Sequence, residues 1–435
     1  MSEKLGWHSL GTTFECACGV THKLPIEACH TGTDAADRMA DFARARCGTT
    51  CLVISDENTR AAAGDRPVAA LTNVGKHVSE KVYPGEPFEA TEELAKTVAE
   101  LGAGVDFFVA IGTGTLCDLA KYAGDKLGRP VLLYPTAASM NGYTSAIVAL
   151  KVRGLKRTQP CKPALGVFSD PEVVATAPQR MTAAGVGDFL SKASSSADWR
   201  ASNILRGCYY CPRPTEFSED IQKKILAAGP RIRANEPEAI SLVLDGLLLT
   251  GFGMVVAGSS APASGGEHLI SHYLDMKHAL YHTENDLHGA QVGVGTIYAL
   301  GLWEKVLALD PESLDPEALA SSHPSEDAIR VWIEEDWGPV APEVLVQWRE
   351  KSLDRQALKA EIERFIEKQW EMRELLSRDL LPSAQVAQLI QDAGGAITAE
   401  GLTVPIEEYR KAERFARYLR NRFTILDLAA ELGVV

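Results

Sequence analysis

The chain has 435 residues, of which 46% are hydrophobic and 23% charged, a composition typical of a globular protein with room for two cores. Its net charge of −14 argues against a nucleic-acid-binding protein, because neutralising a phosphate backbone requires clustered Lys and Arg.

The sequence predicts neither export nor a membrane span. Its start, Met1 to Trp7, has no apolar run behind a basic residue, as a secretory signal would. The longest apolar stretch, Gly246 to Gly258, is shorter than the roughly 20 residues that a spanning helix needs. We therefore expect a cytoplasmic protein with a buried core helix in this stretch.

Nine cysteines, an odd number in irregular spacing, indicate free thiols rather than a disulfide framework. Cys16, Cys18 and His22 have the donor atoms of half a zinc site, and the pair Cys208-x-x-Cys211 could provide the other half. Structural zinc sites usually repeat the C-x₂-C spacing, which only one pair has here. The alternative interpretation is a β-hairpin near the N-terminus and two ordinary buried thiols.

From about residue 37 to 170, short apolar segments alternate with helix-like segments, a pattern that predicts a parallel sheet covered by helices. Helices are predicted at Ala90–Leu101 and Thr115–Leu127. After about residue 175 helical periodicity takes over, and the charged, proline-containing stretch 310–336 is predicted to be a solvated region between helices. The predicted strands, short and apolar as in a sheet buried on both faces, are Cys51–Ile54, Pro67–Leu71, Phe107–Ile111 and Val131–Tyr134.

The third predicted strand runs into the glycine-rich turn Gly112-Thr113-Gly114-Thr115-Leu116-Cys117-Asp118 and then a helix. Glycines let the backbone approach a pyrophosphate, and the helix N-terminus offers unpaired N–H groups. The turn departs from the G-x-G-x-x-G fingerprint, because Cys117 occupies the third glycine position. A plain strand-to-helix turn would also use glycine.

A second loop, Pro135-Thr136-Ala137-Ala138-Ser139-Met140-Asn141-Gly142, follows the next predicted strand. Ligands of parallel sheets bind at the carboxyl ends of the strands, so both loops could contact one dinucleotide. Asp56, at the end of the first strand, is placed to accept a ribose hydroxyl, which would favour NAD. Capping the next helix is its alternative role.

Five of the ten histidines lie between residues 268 and 288. His268 and His272 are four residues apart, so a helix presents both on one face, and His288 follows a turn-like stretch. Imidazole nitrogens with one carboxylate make a three-ligand metal site that leaves positions open for a substrate oxygen. Spacing alone leaves His278 and His282 as rival ligands.

Asp188 is the carboxylate expected to complete this metal site. The nearby Gly185 and Gly187 indicate backbone packed closely around it. A lone histidine is more often structural, so it is the clustering that favours a metal site.

Motifs in a fixed order then carry a resemblance to a known family. They are Gly112-Thr113-Gly114-Thr115-x-x-Asp118, Pro135-Thr136-Ala137-x-Ser139-Met140-x-Gly142-Tyr143, Gly187-Asp188, Ser264-Gly265-x-Glu267-His268, His288-Gly289 and Tyr418-Leu419-Arg420-Asn421-Arg422-Phe423-Thr424-x-Leu426-Asp427. From about residue 50 to the C-terminus the chain resembles the bacterial sn-glycerol-1-phosphate dehydrogenases. That family belongs with the iron-type alcohol dehydrogenases, glycerol dehydrogenases and dehydroquinate synthases.

The resemblance implies a dehydroquinate synthase-like α/β fold. An N-terminal parallel-sheet nucleotide-binding domain would cover residues 1–175 and a C-terminal all-helical domain residues 176–435, with metal and substrate in the cleft between them. It implies reduction of dihydroxyacetone phosphate to sn-glycerol 1-phosphate with NAD(H) or NADP(H) and one divalent metal, zinc or nickel. A homodimer or higher homo-oligomer is the family expectation.

Residue roles also follow from the resemblance. The metal ligands would be Asp188, His268 and His288, while Asn141, Asp188 and His272 would face the substrate and act in catalysis. Lys156 is the expected partner of the substrate phosphate. The cofactor contacts would be Gly114, Thr115, Leu116, Cys117, Asp118, Thr136, Ala137, Ala138, Ser139 and Ser145, in addition to Gly112 and Asp56, which their positions at the strand ends predict.

The chain departs from the family at Asn141, where the family has aspartate. Asn keeps hydrogen-bonding capacity but has no negative charge and no base function. Three alternatives stay open: a dehydroquinate synthase-like lyase that uses NAD transiently, a dehydrogenase of an unphosphorylated polyol, and a binding protein without activity.

Overall fold

The computed structural model describes residues 3–152 and 155–435, without the side chains of residues 155 and 156. The described residues divide into two compact units. The first unit comprises Met1–Phe189, Cys211–Ser260 and Leu389–Gly395, and the second Leu190–Tyr210, Ala261–Gln388 and Ala396–Val435. The predicted domain division after residue 175 stays a prediction.

All strands of the described residues lie in the first unit. They are β1 (Thr13–Glu15), β2 (Thr21–Lys23), β3 (Ala28–Thr31), β4 (Thr50–Asp56), β5 (His77–Tyr83), β6 (Phe107–Gly112), β7 (Val131–Pro135), β8 (Ile147–Val152), β9 (Leu155–Pro160) and β10 (Gly166–Ser169). Six of them form a parallel sheet in the order β3-β10-β7-β6-β4-β5, while β1–β2 and β8–β9 are antiparallel pairs.

The helices follow in chain order. They are α1 (Ala35–Arg46), α2 (Glu57–Ala63), α3 (Arg66–Asn73), α4 (Glu92–Leu101), α5 (Gly114–Leu127), α6 (Pro171–Val174), α7 (Gln179–Leu190), α8 (Lys192–Arg206), α9 (Arg213–Glu216), α10 (Glu219–Leu226), α11 (Gly229–Arg233), α12 (Pro237–Ala257), α13 (Gly266–Tyr281), α14 (His288–Ala308), α15 (Pro316–Ser322), α16 (Glu326–Trp337), α17 (Ala341–Arg349), α18 (Arg355–Leu376), α19 (Ser383–Asp392), α20 (Ile406–Phe415) and α21 (Ile425–Glu431).

The sheet core of the first unit explains why the central strands form. Every residue of β6 and β7 is buried, as expected of parallel strands covered on both faces. Helices α1 and α3 pack Met39 and Leu71 onto one face, against Val53 and Val109. The predicted strands at residues 51–54, 107–111 and 131–134 and the helices at 90–101 and 115–127 are confirmed.

The predicted strand Pro67–Leu71 is wrong, because these residues form α3. Pro67 lies in the first helical turn, where its missing N–H removes no intrahelical bond. Pro67, Ala70 and Leu71 are buried together at helical spacing. A five-residue apolar run fits either a buried strand or one face of a short helix.

The charged stretch 310–336 is also more regular than predicted, because it contains α15 and most of α16. The side chains of Asp315 and Ser325 accept backbone N–H bonds at the starts of these helices. Ile329 and Ile333 bury one face of α16.

Helix α12 is the predicted core helix. Its length and composition would allow it to span a membrane, yet 78% of its most apolar window is buried in the structure. In the second unit, the ring of Tyr273 on α13 packs edge-on against Trp337 at 5.0 Å, and Arg206 on α8 pairs with Glu361 on α18 at 2.7 Å.

Candidate active site

The turn between β6 and α5 presents backbone N–H groups at the carboxyl edge of the sheet. Strand β6 ends at Gly112, and the 14-residue helix α5 begins at Gly114. A Cβ on Gly112 would lie 2.3 Å from Cδ1 of Leu116, so a larger residue would require the Leu116 side chain to move. Cys117 and Asp118 are buried in its first turns. The geometry suits a phosphate group at the start of the helix.

The loop after β7 lies against this turn. The N–H of Thr136 donates to the carbonyl oxygen of Gly112 at 3.2 Å. Helix α7 approaches the loop so closely that a Cβ on Gly185 would lie 1.9 Å from the carbonyl oxygen of Ala138. The structure therefore brings the two predicted nucleotide-binding segments side by side.

A buried lysine that the sequence analysis missed holds the next part of this loop. Lys121 donates to the carbonyl oxygens of Gly142 at 2.8 Å and Ile147 at 2.6 Å. Its Nζ also lies 3.7 Å from Asp118 and 3.4 Å from the hydroxyl of Ser145. A lysine inside the otherwise apolar run of α5 was the signal that could have found it.

Asp56 has a capping role in the structure. Its carboxylate accepts the N–H of Thr59 at 2.8 Å, and the hydroxyl of Thr59 accepts the N–H of Asp56 at 3.0 Å. This reciprocal pair begins helix α2. A contact with the ribose stays a prediction.

Asp188 and Asn141 meet in the first unit. The Asp188 carboxylate, fully buried on α7, accepts the backbone N–H of Asn141 at 2.6 Å. Its other oxygen lies 3.4 Å from the Asn141 side-chain nitrogen. Asn141 thus uses both of its nitrogens to orient this carboxylate.

In the second unit, His268 on α13 and His288 at the start of α14 face each other, with ring centroids 5.3 Å apart. Nδ1 of His268 lies 3.0 Å from Glu267, and Nδ1 of His288 lies 2.9 Å from the Ser271 hydroxyl and 3.3 Å from Asp275. Because neighbours hold both rings through Nδ1, Nε2 is the nitrogen suited to bind a cation.

Glu267 is a fully buried carboxylate. Burial alone would raise its pKa, but hydrogen bonding and the charge of His268, with further hydrogen bonds from Ser194 and Gly265, lower the pKa below its usual value. The resulting anion fixes the ring orientation of His268.

His272 completes a cluster of three rings. It stacks on His288 at 5.7 Å with an interplanar angle of 18°, and its centroid lies 5.9 Å from that of His268. Burial and the nearby charge of Arg420 move the pKa of His272 well below the usual value, so the ring is neutral. Its Nδ1 is buried and has no hydrogen-bond partner among the described residues.

The rival histidines have other positions. Nδ1 of His278 bonds the carbonyl oxygen of Thr283 at 2.6 Å. His282 ends α13 in a left-handed conformation with φ of 54° and is exposed. The side chain of Lys156, the predicted phosphate partner, lies outside the described residues.

Comparison with known proteins shows which family the chain matches. Residues 30–178 match the model of the iron-containing alcohol dehydrogenases. The glycerol-1-phosphate dehydrogenase [NAD(P)+] of Bacillus licheniformis is 32% identical over 425 residues, covering 97% of this chain and 93% of that protein. The enzyme of the same name from Geobacillus stearothermophilus is 30% identical, covering 81% and 94%.

Solved structures agree on the fold. The alcohol dehydrogenase from Oenococcus oeni aligns with a TM-score of 0.59 at 16% identity, covering 94% of this chain and 97% of that chain. The glycerol dehydrogenase from Schizosaccharomyces pombe aligns with a TM-score of 0.54 at 19% identity, covering 80% and 91%.

Proposed function

The chain belongs to the glycerol-1-phosphate dehydrogenase family, and we propose that it reversibly reduces dihydroxyacetone phosphate to sn-glycerol 1-phosphate with NADH or NADPH. It is an NAD(P)-dependent oxidoreductase that acts on a small substrate and uses a divalent metal. The observation that carries the proposal is sequence similarity over nearly the full length of both chains.

The proposed metal ligands are Asp188, His268 and His288. One carboxylate and two imidazoles are a donor set that zinc and nickel both accept. Asn141 donates hydrogen bonds to the Asp188 carboxylate, and Nδ1 of His268 donates to the Glu267 carboxylate. Metal ligands are usually oriented by such bonds. When bound, the metal supplies positive charge that stabilises the charge developing on the substrate carbonyl oxygen, and the reduced nicotinamide supplies the hydride.

We assign the cofactor to the two loops at the carboxyl edge of the sheet. The N–H groups at the start of α5 favour the pyrophosphate, and the tight contact of Thr136 with Gly112 holds the second loop beside it. Lys121, together with Asp118 and Ser145, supports this site by holding the segment from Gly142 to Ile147, which follows the second loop.

Asn141 and His272 are the proposed substrate contacts. Asn141 is held by Asp188, and its side-chain carbonyl oxygen can accept a substrate hydroxyl. His272 is half-buried and neutral, and its buried Nδ1 has no hydrogen-bond partner among the described residues, which fits a group that orients a substrate hydroxyl or relays its proton. If His272→Ala left kcat and the pH–rate profile unchanged, this role would be wrong.

Further proposals carry over from the sequence and from the family resemblance. They are a phosphorylated substrate with Lys156 at its phosphate, Asp56 at the ribose, a cytoplasmic location, a homodimer or larger assembly, and a nucleotide-binding domain over residues 1–175 followed by a metal- and substrate-binding domain over residues 176–435.

The direct test measures NADH and NADPH oxidation with dihydroxyacetone phosphate and dihydroxyacetone, and NAD(P)+ reduction with glycerol, on enzyme stripped by a chelator and reloaded with Zn²⁺ or Ni²⁺. Metal-dependent turnover with the phosphorylated ketone alone supports the proposal. Turnover with dihydroxyacetone or glycerol alone would indicate a polyol dehydrogenase instead. Nucleotide and metal binding without turnover on any of the three would contradict the proposal and favour a lyase or a binding protein.

A further inference from the structure

Four nitrogen and sulfur donors of the first unit converge on one point. They come from Cys16, Cys18, His22 and Cys211, and their ligand atoms all lie within 4.8 Å of one another. The Sγ atoms of Cys16 and Cys211 are 3.7 Å apart, and Nε2 of His22 lies 3.2 Å from Sγ of Cys18 and 3.5 Å from Sγ of Cys211. None of these thiols is in a disulfide.

These separations match the edges of a metal-centred tetrahedron. With zinc bonds of about 2.3 Å to sulfur and about 2.0–2.1 Å to nitrogen, ideal edges are about 3.8 Å between two sulfurs and about 3.6 Å between sulfur and nitrogen. Thiols buried only for their apolar character would have no reason to adopt these spacings around an imidazole.

The β1–β2 hairpin builds most of the cluster. Its turn is closed by the N–H of Gly19, which donates to the carbonyl oxygen of Cys16 at 3.0 Å. Gly19 has φ of 86°, a conformation that favours glycine. This turn places Cys16 and Cys18 beside His22 on the returning strand, where Phe14 packs on the imidazole at 5.3 Å.

The imidazole is oriented from outside the hairpin. Nδ1 of His22 lies 2.6 Å from the carbonyl oxygen of Val256, near the end of α12. A carbonyl can only accept, so Nδ1 carries the hydrogen and Nε2 presents its lone pair to the thiols. Histidine ligands of metals are usually oriented by such a bond.

The fourth donor comes from a distant part of the chain. Cys211 is fully buried, and its sulfur accepts a hydrogen bond from the backbone N–H of Arg213. Cys208, its partner in the C-x-x-C pair, belongs to the other unit and is exposed. The structure thus takes one thiol of that pair into the cluster.

We propose that Cys16, Cys18, His22 and Cys211 form a structural zinc site. Three thiolates and one imidazole are a donor set typical of structural zinc sites, and four protein ligands leave no position open for a substrate. The site shares no ligand with the proposed catalytic metal. It would fasten the N-terminal hairpin to the segment that begins at residue 211 and to the end of α12.

The experiment determines zinc per chain in the purified holoenzyme after extensive dialysis, for the wild type and three variants. Cys211→Ser should lose one equivalent, while Cys208→Ser, a matched control three residues away, should keep it. A His268→Ala/His288→Ala double variant removes the proposed catalytic ligands and should keep one equivalent of tightly bound zinc. Because this last variant retains the Cys-rich cluster, its zinc content does not depend on the proposed function.

A second measurement identifies the ligands. Protein produced with cobalt in place of zinc should show thiolate-to-metal charge-transfer absorption in the wild type and in His268→Ala/His288→Ala. This absorption should be missing from Cys211→Ser, whose thermal midpoint should also fall. The zinc site is refuted if the histidine double variant loses all the zinc that the wild type and Cys208→Ser contain, and if no thiolate band appears. This outcome counts even if Cys211→Ser fails to fold.

Discussion

Replacing Asn141 by Asp places a second carboxylate beside Asp188, and we expect it to destabilise the protein in the absence of metal. The Asn141 side-chain nitrogen, which now lies 3.4 Å from an oxygen of Asp188, would become a carboxylate oxygen. Two unit charges at that distance repel by about 5 kcal/mol at an effective dielectric constant of about 20, and by about 1 kcal/mol in bulk water. We therefore expect a loss of about 1–5 kcal/mol, less where the new side chain rotates away.

A divalent cation should reverse the effect, because a second carboxylate beside Asp188 increases its attraction for positive charge. The assay compares thermal midpoints of the wild type, Asn141→Asp and Asn141→Ala, each in chelator and in saturating Zn²⁺. Asn141→Ala is the matched control, since it loses the side-chain hydrogen bond, worth about 0.5–1.5 kcal/mol, without adding charge. The largest stabilisation by zinc should belong to Asn141→Asp. Equal midpoints for the two variants in chelator would refute the charge argument.

Three further changes test the packing around the site and the buried charges of the first unit. Gly185→Ala forces a Cβ to 1.9 Å from the carbonyl oxygen of Ala138, so the free energy of unfolding should fall by about 1–3 kcal/mol. NADH binding, measured by fluorescence titration, should also weaken. Unchanged affinity and thermal midpoint would contradict the close approach. Lys121→Met removes the Nζ hydrogen bonds to two carbonyl oxygens and the positive charge beside Asp118, and should cost about 3–5 kcal/mol, read from the midpoint of chemical unfolding. A neutral result would show that the lysine is dispensable. Burial raises the pKa of Asp245 to about 6 in the folded protein, against a pKa near 4 in the unfolded chain. The neutral, protonated side chain therefore contributes stability that is complete below pH 4 and is lost as the pH rises through 6. Asp245→Asn cannot ionise and should exceed the wild type in thermal midpoint at pH 8, by the equivalent of about 1–3 kcal/mol, but not at pH 4; a pH-independent difference would argue against this titration.

The central sheet could be predicted because its strands are short apolar runs separated by turn residues. Residues 107–111 and 131–134 are short apolar runs, each followed by glycine or proline, a pattern that predicts buried strands. The same reasoning failed at Pro67–Leu71, since a run of that length does not carry enough periods to distinguish a strand from one face of a helix.

Side-chain partners far apart in sequence were the least predictable part. Lys121 gives no sign of which carbonyl oxygens it bonds, because those acceptors are backbone atoms of a loop beyond residue 140. The spacing of Cys208 and Cys211 suggests two ligands of one site. In the structure Cys208, just after the end of α8, is exposed, whereas Cys211 is buried. Clustering of histidines in the sequence did correspond to proximity in the structure for the rings of His268 and His288, whereas their role as metal ligands stays a prediction.

The strand order also dictates when each part of the sheet can form during synthesis. Among the described strands, β3 pairs only with β10, and residues 32–165 must be translated before that partner exists. At roughly 5–20 residues per second, this takes on the order of ten seconds on the ribosome. Strands β1 and β2, by contrast, are neighbours in sequence and pair with each other. The nascent chain therefore carries β3 as an unpaired strand until β10 emerges, which leaves its backbone N–H and C=O groups open to chaperones and to mispairing.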